Sequence, residues 1–517
     1  MAKQQTAERR TGKKNRNTSR RPSRPVKNQL GTFFLFLQAL ISVVFMGVVF
    51  LLDMLPLNYL ALVAMVLFFL WCLAFMSQAL RKKRGRIGKV YSFLVICVLA
   101  YGAFHIMETN NMIARITSGG FKNDTIFVAV LADDPAETLE DAAGYKFGVQ
   151  FAKDAQNMQT AVTDIQEQLG TDIDMEECAS IEEQAESLIN GEVEAIIYDS
   201  SYTDMLEAAV PDYSSKIRVI YQHEIKTALN LGGSGEDDSL IKEPFTVYIS
   251  GIDTYGDERD VAQGRESERS DVNIIAVVNP TTRQILLVTT PRDYFVPIPG
   301  ISDGMEDKLT HAGLYGVDAS MNTLGELYET DINYYVKLNF TSLMEVVDIL
   351  GGLEVYSEYA FTTGWESGCE TEVVQGENHF NGQQALAFCR ERKNLEGGDN
   401  QRGKNQQAVI TAMLKKVLSP TMLLKASSII NQVSQGIETN ISQPQINAVV
   451  KNQLATNGEW TIQSVAATGI DGRGYPYSAG STEVYVMYPD QDSVDEIISL
   501  INTVENGGQL ENGEQLN

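Results

Sequence analysis

The sequence predicts an α/β protein that has a membrane anchor of three N-terminal transmembrane helices, a small α/β accessory domain and a larger α/β sandwich. Three features of the 517-residue chain lead to this prediction. Three apolar stretches lie within the first 107 residues, and the charge changes sign after them. Short strand-like runs then alternate with helical patterns, which is typical of α/β domains.

The apolar stretches cover residues 30–52, 54–80 and 90–107; they contain no Asp, Glu, Lys or Arg, and His105 is their one histidine. Each approaches the roughly 20 residues that a helix needs to cross a bilayer. The first stretch is too long and lies too far inside the chain to be a cleaved signal peptide. Residues 30–107 are therefore predicted to form three membrane spans.

The basic residues predict the orientation of these spans. Residues 1–107 contain 16 Lys and Arg residues and two acidic ones, whereas residues 108–517 contain 25 and 65. The basic residues lie in an arm at 1–29, predicted to be disordered, and between the second and third spans at 81–86. The positive-inside rule places both in the cytoplasm and residues 108–517 outside the cell. Basic flanks also suit anionic lipid headgroups, so they favour a membrane partner, and no nucleic-acid partner is expected.

Residues 123–227 alternate strand-like and helix-like runs and predict a small α/β domain with a largely parallel sheet. The predicted strands are 125–131, 145–150, 195–198 and 216–221, and the predicted helices are 154–169 and 180–190. The segment resembles one lobe of a bacterial solute-binding protein, although no ligand residue follows from this. The Gly- and Ser-containing residues 228–243 predict a linker.

Residues 244–505 predict the α/β sandwich, followed by a loose polar tail at 506–517. Its clearest feature is a hairpin of strands 272–278 and 283–289. Further strands are predicted at 245–250, 334–338, 353–356, 460–466 and 483–487, and helices at 318–329, 340–350, 382–389, 402–417 and 492–503.

The open end of this hairpin predicts a charged site. Pairing of the two strands brings Asp271 close to Arg292 and Asp293, with Arg269 at the same end. Asp253 follows the strand at 245–250, and a shared rim would bring it beside Asp271. Two neighbouring carboxylates repel each other unless a cation lies between them, and their hard oxygen atoms suit Mg²⁺ or Mn²⁺.

Further arginines predict an anion site, because guanidinium groups bind phosphate oxygens in pairs and keep their charge. Arg390 and Arg392 follow a predicted helix, and Arg402 begins another with Gln406 on the same face. Each group taken alone is also compatible with ordinary surface charges. His311 is interpreted as a structural histidine.

The cysteines leave one alternative open. Cys369 and Cys389 either pair as a disulfide in the oxidising exterior or remain two separate thiols.

The order of motifs resembles the LytR-CpsA-Psr family over residues 244–418, and more loosely over 419–505. The matching motifs are Gly251-Ile252-Asp253, Arg269-Ser270-Asp271, Pro291-Arg292-Asp293, Lys308-Leu309-Thr310-His311-Ala312, Val347-Asp348-Ile349-Leu350-Gly351-Gly352, Arg390-Glu391-Arg392, Asp399-x-x-Arg402 and Gln406-Gln407. Two positions depart from the family pattern, because Tyr255 and Asn405 stand where arginine is frequent.

The resemblance implies an extracytoplasmic phosphotransferase in the membrane of a Gram-positive-type envelope. It would transfer a polyprenyl-pyrophosphate-linked glycopolymer, teichoic-acid-like or capsular, onto peptidoglycan and release polyprenyl phosphate. Asp253 and Asp271 match the Mg²⁺ ligands of the family. The residues matching the pyrophosphate grip are Arg292, Arg390, Arg392 and Arg402, with Arg269 and Gln406 assisting.

The general base for the acceptor hydroxyl is predicted to be Asp399. Asp293 is the second candidate, with orientation of Arg292 as its alternative role. Three other functions compete with the transferase. They are a polyprenyl-pyrophosphate hydrolase that uses water as acceptor, a membrane-bound regulator without transferase activity, and a binding module that has lost activity.

Overall fold

The computed structural model describes most of the chain after the basic arm. The described residues are 29–79, 86–116, 121–151, 155–203, 206, 210, 212–228, 238–252, 269–395, 398–423, 429, 437–480, 482–511 and 514–516. Among them, residues 29–46 and 62–102 belong to one compact unit, and residues 47–61 and 103–516 to a second.

Three long apolar helices confirm the predicted anchor. They are α1 (Gln29–Leu51), α2 (Leu57–Ala79) and α3 (Arg86–Ile116), and each is long and apolar enough to cross a membrane. Within the first unit, Gln78 of α2 donates a hydrogen bond to the Ser92 hydroxyl of α3 over 3.2 Å. Such bonds satisfy polar groups that lipid cannot satisfy.

The turn between α1 and α2 belongs to the second unit. Met54 is buried in an apolar cluster with Leu423, Val450 and Leu454, and Asn447 donates a hydrogen bond to the Leu52 carbonyl over 2.8 Å. The turn is therefore packed against residues 447–454 of the same unit.

The accessory domain is a five-stranded sheet with the order β3-β2-β4-β1-β5. Its elements are β1 (Phe121–Leu131), β2 (Lys146–Val149), α4 (Ala155–Leu169), β3 (Asp174–Glu177), α5 (Ile181–Ile189), β4 (Ala195–Asp199), α6 (Tyr213–Lys216) and β5 (Ile217–Ala228). The predicted strands and helices are present, but the sheet is mixed rather than largely parallel. β2 runs parallel to β3 and β4, whereas β1 runs antiparallel to both β4 and β5.

The larger domain is built on a seven-stranded sheet with the order β16-β11-β6-β7-β8-β17-β20. Its strands are β6 (Phe245–Ile252), β7 (Ser270–Asn279), β8 (Gln284–Thr290), β11 (Tyr334–Asn339), β16 (Ile437–Thr439), β17 (Trp460–Ala466) and β20 (Glu514–Leu516). The strands outside this sheet are β9 (Phe295–Pro297), β10 (Glu306–Lys308), β12 (Leu353–Ser357), β13 (Phe361–Thr362), β14 (Glu372–Val373), β15 (Gly376–Phe380), β18 (Gly469–Gly474) and β19 (Val484–Pro489).

Helices cover both faces of the large sheet. They are α7 (Leu309–Ala312), α8 (Val317–Tyr328), α9 (Phe340–Ile349), α10 (Gly382–Arg390), α11 (Gly398–Val417), α12 (Pro420–Leu423), α13 (Gln443–Thr456) and α14 (Gln491–Glu505). Alternate residues of β7 face opposite ways, because the side-chain period of a strand is two. Ile275 and Val277 pack towards α8 and α14, whereas Ile274 and Ala276 pack towards α11. The predicted α/β sandwich is confirmed.

Two differences from the sequence predictions lie near the ends of elements. Helix α11 begins at Gly398 rather than at 402. Residues 514–516, expected to belong to a loose tail, pair with β17 at Trp460–Ile462 as the edge strand of the sheet. Cys369 and Cys389 are both free thiols.

Candidate active site

A cavity of about 470 Å³ lies between the large sheet and helices α9, α10 and α11. Most of its wall is apolar. The aliphatic and aromatic side chains that line it are Ile249, Val272, Leu338, Phe340, Leu343, Trp365, Leu386, Val409 and Ile410. These residues come from six separate parts of the chain, so only the folded domain forms the cavity.

Four arginines in the cavity wall, called here the arginine cluster, are Arg292, Arg390, Arg392 and Arg402. The other charged and amide lining residues are Asp271, Asn339, Glu366, Glu391, Lys393, Asn394 and Gln406. Cationic groups therefore lie directly beside an apolar surface, which is an arrangement that suits an amphiphilic anion.

The hairpin places the first charged pair. Asn273 lies opposite Thr290, so the two strands diverge with Asp271 on one side and Arg292 on the other. The Arg292 guanidinium donates a hydrogen bond to the Asp271 carboxylate. The prediction that Asp271 and Arg292 meet at the open end of the hairpin is confirmed.

A second carboxylate, that of Asp293, forms an ion pair with Arg292. Asp293 lies 3.7 Å from Nε of Arg292 and accepts a hydrogen bond from Lys308 over 2.8 Å. The backbone N–H of Thr310 donates to the Arg292 carbonyl over 2.8 Å. Arg292 is thus held at its side chain and at its backbone, which reduces the entropy lost when it grips an anion.

Helix α10 places Arg390 by packing closely against α9. A Cβ atom at Gly382 would lie 2.3 Å from the Met344 carbonyl oxygen, so only glycine permits this approach. Asp348 accepts a hydrogen bond from the Gly382 N–H over 2.8 Å. At the other end of α10, the Arg390 guanidinium lies 4.8 Å from the centre of the Phe340 ring, within cation–π range.

Glu391 organises the loop that follows α10, at residues 391–394, and is almost fully buried, with 2% exposure. One carboxylate oxygen accepts hydrogen bonds from the backbone of Arg392, Lys393 and Asn394, at 2.9, 2.9 and 3.1 Å. The other accepts from the Gly364 N–H at 2.5 Å, the Ser367 hydroxyl at 3.2 Å and the Asn394 side-chain amide at 3.5 Å. The carboxylate thereby ties together two loops of the cavity wall.

The charge of Glu391 is stabilised in place. Burial alone would raise its pKa, but the hydrogen bonds from Gly364, Asn394, Ser367 and Arg392 outweigh that effect and lower the pKa below its ordinary value. Glu391 is therefore an ionised acceptor at neutral pH.

The first turns of α11 supply the last polar groups. Arg402 and Gln406 are four residues apart and both line the cavity, as predicted. Gln406 donates to the Cys389 carbonyl over 3.4 Å. Asn405, which occupies a position where related proteins often have arginine, is buried and donates to the Phe388 carbonyl over 3.3 Å.

The other predicted site residues do not line the cavity or are not described. Arg269 directly precedes the β7 strand but is absent from the cavity wall. Asp293 lies behind Arg292 rather than in the wall. Asp253 lies outside the described residues, as does the side chain of Asp399.

Several lining residues and the role of Glu391 were not predicted from the sequence. These lining residues are Asn339, Trp365, Glu366, Lys393 and Asn394. Glu391 lies between two predicted arginines, but no local pattern shows that its carboxylate is buried, and Trp365 begins a 3-10 turn of only three residues.

His311 lies in a separate buried cluster, as its structural interpretation requires. Asp307 and the Ser478 hydroxyl both approach its Nδ1 atom at 2.7 Å. Because both partners meet the same nitrogen, the cluster lacks the geometry in which a histidine bridges an acid and a serine nucleophile.

Of the two predicted metal ligands, Asp271 lies among the described residues and Asp253 does not. Among the described residues, no group of three or more His, Cys, Asp or Glu side chains is placed to hold an ion. Asp271 provides hard oxygen atoms at the cavity wall, and Ile252, the residue before Asp253, pairs with Ser270, the residue before Asp271. The donor chemistry and the register of β6 with β7 are therefore compatible with Mg²⁺.

Comparisons with known proteins identify the family to which the chain belongs. The LytR_cpsA_psr family model matches residues 214–499. The polyisoprenyl-teichoic acid–peptidoglycan teichoic acid transferase TagU of Enterococcus faecalis is 34% identical over 237 residues, which cover 46% of this chain and 74% of that protein. TagU of Oceanobacillus iheyensis is 27% identical over 303 residues, covering 57% of this chain and 84% of the relative.

Solved structures resemble part of the chain. The crystal structure of Bacillus subtilis TagV is 24% identical, covers 51% of this chain and 98% of that one, and has a TM-score of 0.43. The family match covers more than half of the sequence and includes every lining residue of the cavity. The chain therefore belongs to the LytR-CpsA-Psr family.

Proposed function

We propose that the chain is a membrane-anchored phosphotransferase that moves a polyprenyl-pyrophosphate-linked glycopolymer, teichoic-acid-like or capsular, onto peptidoglycan. The observation that carries this proposal is the junction of an apolar cavity with the cluster of Arg292, Arg390, Arg392 and Arg402. The names of the relatives describe the same donor and acceptor classes.

The two halves of the cavity match the two halves of such a donor. The aliphatic wall binds part of the polyprenyl tail, since transfer of apolar groups from water is favourable. The arginines bind the diphosphate, because guanidinium groups form paired hydrogen bonds with phosphate oxygens. An exterior that carries 65 acidic residues would otherwise repel this anion.

In the proposed reaction, a sugar hydroxyl of peptidoglycan attacks the phosphorus that bears the glycopolymer. A new P–O bond forms, the bond to the bridging oxygen between the two phosphates breaks, and polyprenyl phosphate leaves with that oxygen. The hydroxyl proton passes to a base, for which Asp399 is the candidate. Arg292, Arg390 and Arg402 position the diphosphate and neutralise the charge that spreads over it.

Asp293 is assigned to orienting Arg292 rather than to removing the proton. Its carboxylate is already engaged by Lys308 and lies 3.7 Å from Arg292. Arg269 is proposed to assist from beside Asp271, and Gln406 to hold a phosphate oxygen.

Mg²⁺, or Mn²⁺, is the proposed metal, with Asp271 and Asp253 as its ligands. When bound, the ion would neutralise negative charge on the diphosphate. Asp271 keeps one carboxylate oxygen for this role, while the other accepts the hydrogen bond from Arg292.

The proposed topology places the arm 1–29 in the cytoplasm and residues 108–517 outside a Gram-positive-type membrane. It is supported by the three apolar helices and by the positive-inside distribution of charge. The site then lies on the face of the membrane where peptidoglycan is found.

The test incubates the full chain in detergent with polyprenyl-pyrophosphate glycan, Mg²⁺ and peptidoglycan oligomers, and measures product masses. We expect glycopolymer joined to peptidoglycan through a phosphodiester, together with polyprenyl phosphate. Arg292→Ala should abolish most product. Arg473→Ala, which removes an exposed arginine paired with Glu483 outside the cavity, should not.

Two results would count against the proposal. Release of phosphorylated glycopolymer without attachment would make the chain a polyprenyl-pyrophosphate hydrolase. Equal product from Arg292→Ala and the unchanged chain would show that the reaction does not use this cavity.

A further inference from the structure

A second concave site lies on the opposite flank of helix α11. It is a groove of about 870 Å³ between α11, the two-stranded sheet of β12 and β15, and β17. None of the residues in its wall takes part in the donor cavity described above.

Helix α11 divides its side chains between the two sites. Arg402, Gln406, Val409 and Ile410 face the donor cavity. The residues that face the groove are Gln401, Lys404, Asn405, Gln407, Ala408, Thr411, Ala412 and Lys415. The two sets alternate with helical periodicity, so one helix forms a wall of both sites.

The groove begins at the same level of helix α11 as Arg402. Lys404 is two residues from Arg402, which is about 3 Å along the helix axis. From Gln401 to Lys415 the groove extends about 21 Å along the helix. A long molecule in the groove would therefore end at the level of Arg402, the arginine that α11 contributes to the donor cavity.

The sheet of β12 and β15 supplies an acidic and aromatic wall. Glu354 and Tyr356 alternate along β12 on its exposed face, and Tyr356 pairs across the sheet with Glu377. Tyr356 is 56% exposed, so its ring offers an apolar surface with a polar tip. Lys404 forms an ion pair with Glu358 over 3.3 Å.

Charge selects between the two polymers of the reaction. Three glutamates and two lysines line the groove, in an exterior that is strongly acidic overall. A phosphate-rich donor polymer would be repelled here. A hydroxyl-rich strand that carries both amino and carboxylate groups would find partners in the glutamates, the lysines and the buried amides.

We propose that this groove binds the glycan strand of peptidoglycan and directs a sugar hydroxyl towards the diphosphate. The inference rests on the proposed transferase function, because it assigns the acceptor side of that reaction. Holding the acceptor in place turns an encounter of two polymers into a local reaction, which is a major source of rate enhancement.

The experiment measures the affinity of the full chain in detergent for fluorescently labelled peptidoglycan glycan oligomers, without donor. Two variants alter the groove: Tyr356→Ala removes the aromatic surface, and Thr411→Trp fills the space beside Ser464. We expect each to weaken oligomer binding by about tenfold or more, with unchanged affinity for a polyprenyl diphosphate analogue.

The matched control is Tyr475→Ala, which removes a tyrosine that is 60% exposed and lines neither site. It should bind oligomers like the unchanged chain, and thermal unfolding should confirm that all variants fold. Arg402→Ala should show the opposite pattern, losing the diphosphate analogue and keeping the oligomer.

A second readout uses product partition. With donor present, the groove variants should shift product from attachment to release into water, because the acceptor is lost while the donor site is intact. Oligomer binding and partition that match the unchanged chain in both groove variants would overturn this inference. The proposed function would still stand if Arg402→Ala abolished attachment, and it would fall separately if the unchanged chain attached nothing.

Discussion

Replacing Glu391 by glutamine probes how the loop that carries Arg390 and Arg392 is held. The change preserves shape and removes one negative charge. In the native protein both carboxylate oxygens accept hydrogen bonds, three on each oxygen. A carboxamide has only one oxygen, so its NH₂ group must face at least one backbone N–H.

The structure sets the size of the effect. The best orientation keeps the three bonds from residues 392–394 and turns the NH₂ group towards Gly364. The Ser367 hydroxyl can reverse and accept, but the Gly364 N–H cannot. Losing the bonds from the Gly364 N–H and the Asn394 side-chain amide, and leaving the Gly364 donor unsatisfied, costs about 2–4 kcal/mol. For a domain of this size that lowers the unfolding temperature by roughly 5–10 °C.

The pH dependence has a definite sign. The pKa of Glu391 is lowered in the folded protein, so its ionisation stabilises the fold above the unfolded-state pKa of about 4.3. This contribution is lost as the pH falls through the lower, folded-state pKa. The destabilisation of Glu391→Gln should therefore be fully present at pH 7 and should shrink below about pH 4.

The assay is thermal unfolding of the full chain in detergent at pH 7 and in an acid series, together with single-turnover transfer. Glu366→Gln is the matched control, since Glu366 also lines the cavity but is 53% exposed and paired with Lys393. It should change stability by less than about 1 kcal/mol. If Glu391→Gln unfolded at the same temperature as Glu366→Gln and transferred at the native rate, the organising role of Glu391 would be refuted.

Three further predictions concern other parts of the molecule. Arg292→Ala should lower the single-turnover rate constant for release of polyprenyl phosphate about 10²–10³-fold. Arg292→Lys should recover part of this rate, because lysine restores the positive charge without the guanidinium fork. Equal rates in all three proteins would exclude Arg292 from the reaction. Met54→Ala should destabilise the turn between the first two spans by about 2 kcal/mol, which would be measured as faster amide exchange in residues 443–456. Asp53→Ala is the control and should have little effect, because the ion pair of Asp53 with Lys451 is exposed. Burial raises the pKa of Cys389 to about 12, so iodoacetamide at pH 8 should label Cys369 and leave Cys389 unmodified, as measured by mass spectrometry. A disulfide between the two cysteines would contradict the structure.

Local patterns in the sequence were sufficient to predict the position of the first charged pair. Strands β7 and β8 are two short apolar runs joined by a tight turn, and antiparallel pairing then brings Asp271 and Arg292 together. The spacing of Arg402 and Gln406 on one helix likewise predicted that both line one cavity.

Features that depend on tertiary contacts could not be predicted. The six hydrogen bonds that the Glu391 carboxylate accepts join two loops 27 residues apart, and nothing local indicates that the side chain is buried. In the accessory domain, alternation of strands and helices suggested a parallel sheet. The long β1–β5 ladder, from Phe121 opposite Ala228 to Leu131 opposite Ile217, makes it mixed. The acidic edge strand β3 was missed because it has no apolar pattern.

The most direct test is a crystal structure of the chain with a non-reacting polyprenyl diphosphate analogue. Its phosphate oxygens should lie within hydrogen-bonding distance of Arg292 and at least one of Arg390 and Arg402, with the tail against Phe340 and Leu343. A diphosphate bound elsewhere, with the arginine cluster empty and the apolar cavity unfilled, would contradict the proposed donor site.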